Sequence, residues 1–257
     1  MVEKKAANKE PKNTKQPKKQ IPKIDEETAG IILDAAYNQA VKGIPKVSRS
    51  VDKLANDYLS KHATPDEAAK ALAKMQVSKC GTSGFLTGLG GLITLPATIP
   101  ANIGSVMYVQ LRMVAAIAKI GGYDIYSDQV QTLVYMCLTG TAITDVIKDA
   151  GIQVGAKSLT AAIKKIPGTA LVKINQKVGF RFITKFGEKG VINLGKMVPV
   201  LGGIIGGSVD VATTIVIANN AIKMFINDVT PFGEMPTEDE VLDIQAIDAS
   251  SDKSRLI

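Results

Sequence analysis

Few residues in this 257-residue chain combine a reactive type with a useful spacing. Asp145 and Asp149 stand four apart, which places two carboxylates on one face of a helix where they could bind a cation or exchange protons. Lys148 lies beside them, and a solvated helix face explains the pair more simply. Asp124, Asp128 and Asp210 are the other acids of the central region, and an enzyme acting on a lipid or phosphate substrate would set Arg112 against Asp124, Asp145 or Asp210. The only histidine, His62, adjoins Lys61 just ahead of a helix start and is expected to be exposed. Any Ser–His or Cys–His nucleophilic pair would have to use it. Neither H-E-x-x-H nor a paired-cysteine spacing occurs, so no metal site is expected, and no catalytic residue or cofactor either.

Two glycine patterns imitate phosphate loops. "GLGGLI" from Gly88 has Ile93 where G-x-G-x-x-G needs its third glycine, and "GVINLGKM" from Gly190 has the glycines and lysine of a Walker A loop. Met197 stands in the latter where a hydroxyl would hold magnesium, and no strand pattern precedes it, so both read as turn or helix-packing glycines.

The elements that would position these residues are helical. From Thr28 the apolar positions Leu33, Ala36, Tyr37, Ala40, Val41 and Ile44 follow a three–four spacing that ends near Gly43 and Pro45. "VSRSVDKLANDYLSKH" carries Val47, Val51, Leu54, Tyr58 and Leu59 on one side. A third helix starts where Thr64, Pro65 and Glu67 form a capping box with proline at the first helical position, and it runs toward Cys80. "SDQVQTLVYMCL" and "TAITDVIKDAG" predict two more, opened by Ser127 and Thr141. Alternating strand patterns are nearly absent, which makes the fold class all-α: a glycine-rich helical bundle. Cys80 and Cys137 lie in apolar surroundings and read as reduced core thiols.

Charge divides the chain into a helical domain, residues 24–227, between two tails. Residues 1–23 hold eight lysines against Glu3 and Glu10, and residues 228–257 hold eight carboxylates against Lys253 and Arg255, so the tails cancel and the domain keeps the net +7. The lysine-rich tail has almost nothing to bury and is expected to be disordered; no apolar signal-peptide core follows it, so secretion is not expected. Residues 157–196 hold nine basic residues and one acid, Glu188. Within them Lys173, Lys177, Arg181 and Lys185 recur every four residues beside Ile174, Val178, Phe182 and Phe186. Such a helix can lie on an anionic membrane with its apolar side down, or pack on a core with its basic side in water. Nucleic acid is a poorer fit, since no recognition module accompanies the stripe.

Two hydrophobic segments raise the same question. No charge occurs from Cys80 to Leu111, between Lys79 and Arg112, yet Pro96 and Pro100 break the middle, favouring two half-length helices meeting at "LPATIP". Met197 to Ile222 is uncharged except for Asp210, and its Gly202, Gly203, Gly206 and Gly207 form overlapping G-x-x-x-G pairs suited to close helix packing. Arg112 is the expected partner of Asp210, because a lone carboxylate inside apolar surroundings needs a counter-charge.

The stretches "GFLTGLGGLITLPATIPANIGSVMYVQLRMVAAIAKIGGYD", "SDQVQTLVYMCLTG" and "INQKVGFRFITKFGEKGVINLGKMVPVLGGIIGGSVDVATT" resemble the bacterial EcsC family over roughly residues 25–227. "LPATIPANI", "QLRM" around Arg112, "GGYD" at Asp124 and "PVLGGIIGGSVD" ending at Asp210 carry the resemblance. It implies a helical protein of the bacterial cytoplasm or membrane surface, and brings no catalytic residues. The expectation is a non-enzymatic protein of the cytoplasmic membrane face, with anionic lipid or a membrane protein complex as partner. The alternatives are a soluble helical adaptor for a transport complex, or the enzyme already described.

Overall fold

The structure, a computed structural model, describes residues 24–81, 101–138, 167–186 and 209–228. Among them the chain forms seven helices and no strand: α1 (Glu26–Lys42), α2 (Val51–Leu59), α3 (Pro65–Gly81), α4 (Ala101–Ile120), α5 (Asp128–Leu138), α6 (Gly168–Phe186) and α7 (Val209–Phe225). The all-α expectation holds. Residues 1–23, 139–166 and 229–257 lie outside the described residues, and with them the helix expected from Thr141, Asp145, Asp149 and the two tails. So do Pro96, Pro100, Gly202, Gly203, Gly206 and Gly207.

Local chemistry sets the helix ends. Asp25 caps α1, its Oδ1 accepting from the Thr28 amide at 2.8 Å, so the helix starts two residues before Thr28. Ser50 caps α2 with its Oγ 3.4 Å from the Lys53 amide, and the helix begins at Val51 rather than Val47. Val47 instead stands 46% exposed in a turn closed by the Ile44–Ser48 bridge. At α3 the Thr64 hydroxyl accepts from the Glu67 amide at 3.2 Å, while the Glu67 carboxylate accepts from Ala63 at 3.1 Å, one residue upstream of the usual capping-box amide.

α4 forms the centre. It packs against α1, α2, α3, α5 and α7, and the described side chains from Ser105 to Ala118 are all buried. A helix that is apolar on every side is either surrounded by protein or by lipid; here five helices surround it. Among the described residues no helix is long and apolar enough to cross a membrane.

α7 runs parallel to α4 in a fixed register. Gln110 Nε2 donates to Thr214 Oγ1 at 2.9 Å, and eleven residues further along both helices Gly121 abuts Phe225. α6 is peripheral, covering α1 and α5. Gly179 lets it approach α1, since a Cβ there would lie 2.6 Å from the Ala29 carbonyl oxygen.

Candidate functional site

The "GGYD" turn after α4 is built from structural parts. Gly121 has no room for a side chain against the Phe225 carbonyl, and Gly122 takes φ +83°, the left-handed region that glycine enters without penalty. Tyr123 packs edge-on against Phe225 with ring centroids 5.1 Å apart. The Asp124 carboxylate accepts from the Tyr126 amide at 3.0 Å, and its carbonyl accepts from the Ser127 hydroxyl at 2.9 Å. Asp124 therefore closes a turn. Ser127 opens α5 as expected, its Oγ 3.4 Å from the Val130 amide.

Arg112 is the most deeply placed charge among the described residues, 5% exposed in the middle of α4. Its Nη1 donates to the Ala40 carbonyl oxygen of α1 at 3.1 Å, and the guanidinium also hydrogen-bonds Tyr108, one turn back. A guanidinium can only donate, so toward Arg112 the Tyr108 hydroxyl is an acceptor, and the same hydroxyl shares a hydrogen bond with Ser48 Oγ at 2.5 Å. Burial holds the Arg112 pKa below its ordinary value, with Tyr108 opposing. Lys79, in the last turn of α3, is depressed too, by burial first and by the Arg112 charge second. Two cations thus share one partly desolvated region.

Helix geometry decides which neighbours Arg112 can meet. Gln110 and Arg112 are two residues apart, about 200° round the axis. It is Gln110 that reaches α7, while Arg112 turns toward α1. Asp210 lies in the first turn of α7, but its side chain is outside the described residues. The Arg112–Asp124 arrangement of an enzyme is not assembled. Eight residues of helix, about 12 Å, separate Arg112 from the end of α4, and Arg112 bonds backward to Tyr108.

The other conspicuous charge feature is the outer side of α6. Leu171, Ile174 and Val178 are at most 2% exposed and form its core side. Lys173 is exposed, with Val172 beside it at 53%. Lys177 and Arg181 are half-buried and each engages another group, and the Lys185 side chain lies outside the described residues. The gradient follows from arithmetic. At 3.6 residues per turn a four-residue step advances the stripe by about 40°, so Arg181 leaves the axis about 80° round from Lys173. The stripe is a shallow spiral, and the described part of the apolar side it borders, Leu171, Ile174 and Val178, is already occupied by protein.

His62 departs from expectation. It is half-buried, its Nδ1 2.8 Å from the Tyr58 carbonyl oxygen and its ring stacked on Tyr58. Cys80 and Cys137 are buried free thiols, as expected, and burial pushes the Cys137 pKa far up. Sequence reasoning missed one further cluster, in which the half-buried Asp34 accepts from Tyr135 at 2.8 Å and from Gln131 at 3.1 Å. Its only local signal is an acid directly after the buried Leu33.

These observations define an all-α bundle with a buried cation in its central helix and a cationic outer helix. The EcsC protein family model matches residues 3–226, and the chain belongs to that family. The match starts within the lysine-rich segment and ends at the close of α7. The chain is also 28% identical over 177 residues, 66% of its length, to "Uncharacterized protein YdbA" of Bacillus subtilis (strain 168). That stretch spans 55% of the relative's length. No solved structure matches the chain.

Proposed function

We propose that the chain is a non-enzymatic protein that binds the anionic cytoplasmic membrane face peripherally, through the outer side of α6. The observation that supports this is the division of that helix: Leu171, Ile174 and Val178 are spent on the bundle, whereas Lys173 faces outward in a region of net +8 over residues 157–196. Contact is then electrostatic, with Val172 the one exposed large hydrophobic residue of the helix among the described residues. Each lysine or arginine close to an anionic bilayer contributes about 1 kcal/mol. Lys173→Gln is therefore expected to weaken binding to phosphatidylserine-containing vesicles about fivefold at low salt. Replacing Lys173, Lys177, Arg181 and Lys185 together by glutamine should abolish it. Unchanged vesicle flotation of the fourfold variant refutes the lipid reading and leaves an adaptor that meets a membrane complex through protein contacts.

A further inference from the structure

The cationic outer side of α6 has a complement within the same chain. Residues 234–252 hold seven carboxylates and no lysine or arginine, and they lie wholly beyond the family match, which ends at residue 226. The described chain ends just after α7, which is joined to α6 by way of α5. The end of α7 reaches α5 through Met224, whose sulfur is 3.8 Å from Cys137 Sγ, and α5 in turn packs against α6. Two interhelical steps of about 10 Å separate α7 from α6. The 24 residues from Val229 to Asp252 extend to at most about 80 Å, so the acidic run can reach the cationic surface. Being tethered, it competes there at a local concentration of about a millimolar.

We propose that residues 234–252 dock on the outer side of α6 around Lys173 and act as an intramolecular competitor for whatever anionic surface that helix meets. The docking stands on charge and reach, and its regulatory consequence rests on the membrane reading above. Exposed ion pairs are individually weak and screened by salt, so the segment is held loosely enough for a strongly anionic surface to displace it. This makes α6 a switch whose setting depends on the charge it faces.

Carbodiimide crosslinking of the full chain at low salt, mapped by mass spectrometry, tests the docking. Bonds between carboxylates of residues 234–252 and Lys173 or Lys177 are expected. Bonds from that run only to the lysines of residues 1–23, or none at all, overturn it. A second measurement tests the competition, using the full chain with its seven carboxylates in 234–252 changed to the corresponding amides. This variant is expected to bind phosphatidylserine vesicles about tenfold more tightly than the unaltered chain. Equal binding overturns the competition. If neither protein binds vesicles, the membrane reading fails while the crosslinks still decide the docking.

Discussion

Asp34 shows how a single carboxyl can make the stability of the bundle fall as pH rises. Burial raises its pKa above the ordinary 3.8, the bonds from Tyr135 and Gln131 oppose that, and Asp128 adds to it. A carboxyl with a raised folded pKa binds protons more readily folded than unfolded. Its contribution to stability is therefore fully present below the unfolded value, declines as pH rises through the interval up to the folded value, and stays lower above it. Asparagine keeps an oxygen to accept from Tyr135 and Gln131 but does not titrate. Between about pH 3 and about pH 6, Asp34→Asn should lose less stability than the parent, or gain relative to it, as pH rises. Thermal unfolding across that range checks the sign, and a difference independent of pH would remove Asp34 from the account. Arg112 is the contrasting case, because a guanidinium stays charged and is stabilised by what it donates to, here Ala40 and Tyr108.

Among the elements, the α4–α7 pair carries the clearest packing constraint. Their parallel register leaves no space at Gly121, while Gly122 has nothing within 4 Å and needs glycine only for its φ of +83°. The two positions should respond differently. Gly121→Ala must push the end of α7 away and is expected to cost about 1–3 kcal/mol. Gly122→Ala should cost about 1 kcal/mol, and Gly122→Asn less, because asparagine tolerates the left-handed region. Urea midpoints of the three variants distinguish crowding from strain. Of the boundaries, the end of α1 and the starts of α3 and α5 are legible because capping groups and spacing lie within a few residues of each, whereas the Asp25 cap of α1 lies outside the apolar spacing that begins at Thr28. The start of α2 was misread by four residues, since Val47 fits the apolar spacing and only the Ile44–Ser48 turn takes it out of the helix.

For the whole molecule, the arrangement predicts how the protein partitions in a cell lysate. With α4 enclosed by five helices and the apolar side of α6 buried, any membrane association through the described residues is electrostatic. Pelleted protein should be released by high salt, because screening shortens the reach of exposed charges to a few ångströms. Resistance to both high salt and alkaline carbonate would instead require insertion of a segment outside the described residues. Recovery wholly in the cytosol would favour the adaptor.

Sequence alone determined the all-α class, the starts of α3 and α5 with their caps, the buried thiols and the family, since each depends on residues close in the chain or on long motif matches. It also showed both stripes of α6, because periodicity is local. It could not say which stripe meets protein, whether residues 104–111 of the uncharged run lie in a core or in lipid, or whom Arg112 faces. Those depend on contacts such as Arg112 with Ala40, 72 residues away, and Gly179 with Ala29. Apolar surface lowers its free energy equally well against protein or lipid, so hydrophobicity marks what must leave water, and only the tertiary packing decides what covers it.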